Sequence, residues 1–362
     1  MRLAFDEQIF AIQRFGGISR LFAELAKQYA GDVEFGVDLE QMRAPIVNRY
    51  VLGHPALEQA LGVWDAGSTR ASLSRYFLRP RPRTKVDVLH STFYLPHGLA
   101  GYPGSRHVVT VHDMIPELMP QTRRRLDFIT LKKRYVLAAD HVICVSESTR
   151  TDLLRTYGRI KAPITVVHHG VDPIFTPGAD HWQDLPERYV LFVGNRGQYK
   201  DAGVLMTAFS RMARQDPRIQ LLFVGGGGFT RAEKQKLSAL GVVDRTQQRT
   251  LPDAQMPATY GQALMCVFPS RFEGFGLPAL EAMACGTPTI LAAGSSLPEV
   301  GGEAALYFPP GDAGELTAAM ALLARDEQER ARRSTGGIER ASQFTWARTA
   351  QQTAAVYRAT LG

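Results

Sequence analysis

Cysteine is scarce in this sequence, and the scarcity excludes two architectures. Cys144, Cys266 and Cys285 stand far apart among apolar neighbours and form no C-x-x-C pair. They build neither a disulfide scaffold nor a zinc knuckle, and read as reduced, buried thiols. No apolar run reaches the roughly 18–20 residues of a membrane-spanning helix. The opening MRLAFDEQIF lacks the apolar core of a signal peptide, which predicts a cytoplasmic protein. The histidines show no metal-ligand spacing with carboxylates or cysteines, so no metal is expected. Short repeats and low-complexity tracts are missing. No aromatic-rich basic motif marks a nucleic-acid module, so RNA and DNA are not expected partners.

What is present is ordinary in composition. With 45% apolar and 21% charged residues the chain has the balance of a soluble globular protein, and 362 residues fit two domains of about 150–200 each. The net charge of +7 is uneven: residues 1–175 hold 23 Lys and Arg against 17 Asp and Glu, the remainder 19 against 18. The excess gathers in RASLSRYFLRPRPRTK (70–85) and RRRLDFITLKKR (123–134). Such clusters suit an anionic membrane surface, nucleic acid or a phosphorylated ligand, or are simply a solvated face.

Short apolar runs alternate with helical patterns almost throughout. RLAFDE, VEFGVDL, DVLHS, HVVTVHD, HVICVS, ITVVHHG, YVLFVGN, IQLLFVGG, LMCVFPS and PTILAA read as strands covered on both faces. ISRLFAELAKQYA and KDAGVLMTAFSRMARQ carry apolar residues at helical spacing. The alternation predicts an α/β protein with two doubly wound parallel sheets, in two halves with a cleft between them. HHGVDPIFTPGADHWQDLPER separates them, giving domains over 1–175 and 176–344, and ligands belong at the carboxyl ends of the strands.

The strand exits are therefore where chemistry is sought. In QRFGGISRLF, Gly16 and Gly17 open a helix whose N–H groups suit an anion. Asp38 then follows a second strand, as a dinucleotide fingerprint requires, but G-x-G-x-x-G is absent and an oxidoreductase is the lesser alternative. VVTVHDMIPE leaves His112 and Asp113 before an irregular loop forced by Pro116; a capping or packing histidine is the competing reading. In VSESTRTDLL, Ser146 or Ser148 stands at a strand exit, and a helix N-cap alone would explain either. VGNRGQYKD offers Gly194 for close backbone approach and two cations, Arg196 and Lys200, for phosphate oxygens, or two exposed loop cations. The four glycines from Gly225 in LLFVGGGGFT fit approach to a flat ring or phosphate, or a mobile turn.

PSRFEGFGLPALEAMACG (269–286) carries the sharpest signal. A buried strand ends in a glycine loop, and a helix follows with Pro278 in its first turn and Gly286 as its stop. A helix N-terminus carries about half a positive charge, and N–H groups near Phe275, Gly276 and Leu277 suit a diphosphate. Glu273 hangs from the loop and Glu281 lies about one turn in. Carboxylates accept hydrogen bonds in pairs, so one can hold a pyranose and the other a ribose. Singly, each is also credible as a solvent-exposed acid or a helix-dipole partner.

These stretches resemble the retaining glycosyltransferases of the GT-B fold, the fourth family, often called group 1. VGNRGQYKD, LLFVGGG, SRFEGFGLPALEAMACGTPTI and SSLPEVGGEAALYF carry the resemblance over about 189–309, with RFGGISR, TVHDMIPE, VSESTRTDL and HHGVD in the first half. It implies two Rossmann-like domains with parallel sheets facing across a cleft, the first acceptor-binding and the second donor-binding, and a last helix (345–362) packing back on the first. It implies hexose transfer from a nucleotide diphosphate sugar to a glycan or lipid-linked acceptor in polysaccharide or lipopolysaccharide assembly, with no catalytic metal or other cofactor. GDP-mannose is the first-named donor and UDP-sugars the next, and the basic stretch 123–134 would rest on the anionic inner membrane leaflet, making the protein peripheral there. By the same resemblance Arg196 and Lys200 neutralise the departing diphosphate, Glu281 holds the ribose and Glu273 the donor sugar. Gly194, Gly225, Phe275, Gly276 and Leu277 line the donor, His112 sits by the reacting carbon, Gly16–Gly17 border the phosphates, and Asp113, Ser146 and Ser148 are the acceptor-side candidates. Many members have a longer loop between the Arg and Lys than NRGQYK. A non-catalytic nucleotide-sugar- or nucleic-acid-binding protein is the alternative class.

Overall fold

The computed structural model describes residues 1–6, 8–30, 36–38, 48, 50, 85–95, 102–119, 128–178, 182 and 184–362. Most of the basic segment 70–85, and residues 123–127 of the second one, lie outside that set. The chain folds as two compact units, Met1–Gly170 with Trp346–Gly362, and Val171–Thr345.

In the first unit, β1 (Arg2–Phe5), β2 (Gly36–Asp38), β3 (Val88–Ser91), β4 (Arg106–Val111), β5 (His141–Cys144) and β6 (Ile164–Val166) form a parallel sheet in the order β2-β1-β3-β4-β5-β6. Every residue of β3 and β5 is buried, because helices cover both faces of such a sheet. The helices are α1 (Gln8–Ile12), α2 (Gly17–Tyr29), α3 (Ile115–Leu118), α4 (Phe128–Ala138) and α5 (Glu147–Tyr157).

The second unit contains β7 (Tyr189–Val193), β8 (Gln220–Val224), β9 (Thr246–Arg249), β10 (Met265–Phe268), β11 (Thr289–Ala292) and β12 (Leu306–Phe308), ordered β12-β11-β10-β7-β8-β9. Its helices are α6 (Ala202–Ala213), α7 (Arg231–Ala239), α8 (Met256–Gly261), α9 (Leu277–Ala284), α10 (Leu297–Gly301), α11 (Ala313–Arg325) and α12 (Glu327–Ala341). Counted from β7, this is the doubly wound order 3-2-1-4-5-6. The strand order reverses between β7 and β10, and ligands bind at the carboxyl ends of strands at such a reversal.

The last helix, α13 (Trp346–Leu361), belongs to the first unit. Trp346, Ala350, Ala354 and Tyr357 recur every three or four residues and bury one stripe against α2 and the sheet. The Tyr357 hydroxyl lies 2.7 Å from His90 Nδ1, and the Tyr29 hydroxyl donates to the Ala350 carbonyl at 2.7 Å. Among the described residues no helix is long and apolar enough to cross a membrane.

Candidate functional site

The two strands at the reversal point each end in a loop that carries charge. After β7 the chain turns at Gly194, makes a short 3-10 turn over Gln198–Lys200, and enters α6 through Asp201 in a left-handed conformation. After β10 it runs through Arg271 and Glu273 to Gly276, the N-cap of α9. The loops are tied to each other twice: Arg271 N–H donates to the Tyr199 carbonyl at 2.8 Å, and Arg271 Nε to Asp201 at 2.8 Å. Those ties bring Lys200 Nζ to 2.5 Å from Glu273 Oε1, with both side chains largely shielded from solvent.

Gly276 has φ of +108°, and an added Cβ would come within 3.0 Å of Leu297 Cδ2. Glycine is needed to turn a loop this sharply into a helix. No side chain caps α9, and Glu273 lies three residues before its N-cap in the chain, so the positive end of the dipole follows directly on the loop that carries Glu273. Glu281, further along α9, is buried and accepts a hydrogen bond from the Tyr260 hydroxyl at 3.0 Å. Burial first, and the Glu281 carboxylate second, push the Tyr260 phenol well above its ordinary pKa, so it stays a hydrogen-bond donor. Phe275 packs edge-on against Phe344, 5.9 Å between ring centres, so only its backbone belongs to the loop's chemistry.

Arg196 departs from the sequence expectation. Its guanidinium does not join Lys200 at Glu273 but is engaged elsewhere. Nε donates to Glu233 at 2.7 Å, Nη1 to the Gly225 carbonyl at 3.0 Å, and Nη2 to the Gly227 and Gly228 carbonyls at 2.8 and 2.9 Å. Its plane lies over Phe229, 4.9 Å from the ring centre. Gly225, Gly226 and Gly227 have φ of +88°, +70° and +70°, which turn their carbonyls around the cation. The register Val193↔Val224 sets these two loops side by side. Gly225 is thus a clamped turn rather than a mobile one.

In the first unit the same reading meets mixed outcomes. Gly16 is the N-cap of α2 and Gly17 its first residue. His112 follows β4 in a buried position, its ring stacked 6.4 Å from that of His169. Burial above all, then His169, His90 and Lys132, hold its pKa well below the ordinary value, so the ring is neutral. Asp113 accepts from Ile115 N–H at 3.1 Å, and its carbonyl accepts from Lys132 at 2.8 Å. Ser146 is fully buried and caps α5 through Thr149 N–H at 3.0 Å, so the N-cap reading, not an open acceptor contact, describes it. Ser148 is half-buried in the first turn of that helix. Lys132, counted with the basic stretch 123–134, is buried against Glu117 at 2.9 Å and is withdrawn from any surface role; Lys133 and Arg134 remain exposed.

Three residues at the site gave no sequence signal of their role. Tyr260 precedes Glu281 by 21 positions on another helix, and Ser295 and Ser296 hydrogen-bond the Glu273 backbone. SSLPE stood out as a stretch, but only the fold shows what its serines touch.

Comparison with known proteins places both halves. Residues 15–175 match the model described as Glycosyltransferase Family 4, and residues 180–340 the model described as Glycosyl transferases group 1. The chain is 30% identical over 329 residues to the MMP alpha-(1->4)-mannosyltransferase of Mycolicibacterium hassiacum, covering 83% of this chain and 78% of that protein. It is 28% identical over 281 residues to the O-antigen chain mannosyltransferase B of Escherichia coli, covering 74% and 72%. Among solved structures, sucrose-phosphate synthase from Thermosynechococcus elongatus superposes with a TM-score of 0.75 at 22% identity, covering 99% of this chain and 98% of that one. Anabaena HepE, in complex with UDP and glucose, gives 0.76 at 18%, covering 99% and 100%. These structural likenesses show the fold, GT-B.

Proposed function

This chain belongs to the group 1 glycosyl transferases, nucleotide-sugar-dependent enzymes, and from that premise we propose that it transfers a hexose with retention of anomeric configuration. The donor in this reading is a nucleoside diphosphate sugar, GDP-mannose first, and the acceptor a glycan or lipid-linked glycan. The observation that carries it is the meeting of Lys200 and Glu273 at 2.5 Å where the strand order reverses, one loop before the uncapped end of α9.

The chemistry follows from charge. Breaking the bond between the anomeric carbon and the phosphate oxygen leaves positive charge on the sugar and negative charge on the diphosphate. The Lys200 ammonium and the partial positive charge at the α9 N-terminus are set in place before that charge develops, a term worth several kcal/mol in a site shielded from water. Glu273 accepts from sugar hydroxyls and offsets the positive charge at the ring, and Glu281 accepts from the ribose diol. The acceptor hydroxyl attacks from the leaving-group side; its oxygen bonds to the anomeric carbon while its proton passes to a phosphate oxygen. His112, neutral, supplies a hydrogen bond rather than a charge. Arg196 acts on the glycine turn, so Lys200 bears the leaving-group role. The two mannosyltransferase relatives support mannose. A UDP-sugar donor is the second reading, which the likeness to the UDP-bound HepE favours.

A thermal-shift panel of GDP, UDP, ADP and dTDP with their sugars tests the donor. A ligand at about one hundred times its Kd stabilises the fold by about 2.7 kcal/mol. One nucleotide family should raise the melting temperature, and Lys200→Met should abolish most of the shift. A panel without any shift, or one indifferent to Lys200, refutes the assignment.

A further inference from the structure

We propose that Ser295 is a positioning residue that fixes Glu273 for the donor sugar, an inference that rests on the donor-binding reading above. Among the described residues two non-glycines have positive φ, Asp201 at +47° and Ser295 at +55°. Both adjoin the Lys200–Glu273 pair: Asp201 follows Lys200 directly, and Ser295 contacts Glu273. A side chain in the left-handed region is strained, and such strain persists where the surroundings enforce it, often at functional sites.

The return for that strain is a two-point hold on a single residue. Ser295 Oγ accepts from the Glu273 N–H at 3.1 Å and donates to the Glu273 carbonyl at 2.7 Å. Its neighbour Ser296, fully buried, donates to the Phe275 carbonyl at 2.8 Å and lies 3.0 Å from the Glu273 carbonyl. Leu297 then closes on Gly276. Residues 295–297 thus run as a splint along 273–276. A carboxylate on an unsupported glycine loop would wander by an ångström or more, and misplacements of that size cost up to about a hundredfold in rate. Because Ser295 holds the backbone of Glu273 and not the α9 terminus, its effect should fall on the sugar and spare the nucleotide.

Ser295→Gly and Ser295→Ala separate this role from a merely structural one. Both delete the hydroxyl, but glycine also relieves the left-handed strain. Expected for Ser295→Gly are a melting temperature at or above wild type and an unchanged Kd, within twofold, for GDP or UDP alone. Affinity for GDP-mannose or UDP-glucose should fall about tenfold, and transfer kcat by about tenfold or more. Ser295→Ala should lose activity similarly and melt lower. Equal losses for bare nucleotide and nucleotide sugar, or a kcat within threefold of wild type, overturn the proposal. Hydrogen exchange at the Glu273 amide supplies a readout without ligand: it should quicken at least tenfold in Ser295→Gly while α9 amides hold. If the wild type binds neither nucleotide, the donor reading fails; unchanged Glu273 exchange defeats the positioning claim on its own.

Discussion

Replacing Arg196 by lysine keeps the charge and removes the fork, which separates two ideas about this residue. A cation waiting for a diphosphate would survive the change in large part. A clamp on the glycine turn would not, because an ammonium cannot span Glu233 and the carbonyls of Gly225, Gly227 and Gly228 together. Lysine keeps about two of those four bonds. Each lost bond from a charged donor is worth about 1.5–3 kcal/mol when shielded; the two Nη2 bonds are exposed and count for less, so about 2 kcal/mol of local stability is at stake. That is roughly a thirtyfold rise in local opening. Glu233 would also lose the partner beside its capping box with Thr230. Hydrogen exchange read by mass spectrometry on a peptide spanning 225–234 should therefore show about thirtyfold faster exchange in Arg196→Lys, with peptides of α9 unaffected. If protection across 225–234 stays at the wild-type level, the clamp contributes no local stability and the reasoning is wrong.

Two more outcomes follow from buried groups. Tyr260→Phe removes the hydroxyl that holds Glu281 Oε2, and nucleotide binding should weaken about tenfold by calorimetry, the scale of one lost bond to a charged group; an unaltered Kd would separate Tyr260 from the site. Burial lowers His90 and His169 from 6.5 to about 3 and His107 to about 4, all in the first unit. Their folded pKa values lie below the unfolded one, so only the unfolded chain takes up protons as pH falls below about 6.5. Stability should be flat above that pH and decline toward pH 4 by up to about 1.4 kcal/mol per pH unit for each histidine. Denaturant titrations at pH 7.5 and 5.5 measure the decline, and identical curves would refute it.

Much of the architecture was legible because it is repetitive. Ten apolar runs marked ten of the strands, since a parallel sheet covered on both faces needs Val, Ile and Leu without alternation. The runs that failed to show were β9, TQQR, and β12, LYF, both edge strands of the second sheet. One is polar and the other three residues long, as edges that must not attract further strands tend to be.

At the site, residue chemistry and local spacing named Lys200, Glu273 and Glu281, because a cation and two acids beside a glycine turn into a helix are recognisable in one dimension. What those groups touch was decided elsewhere. Arg196 reads as Lys200's companion four residues away, yet the β7–β8 register delivers the carbonyls of Gly225–Gly228 to it first. Tyr260 and Ser295 reach their glutamates from 21 and 22 positions away, through packing that leaves no periodic trace. The sequence by itself determined which elements form and which charges lie at strand exits, since those depend on local pattern. Only the tertiary structure decided which charges meet, which one clamps a turn and which is held still, because hydrogen-bond donors are allotted by three-dimensional proximity.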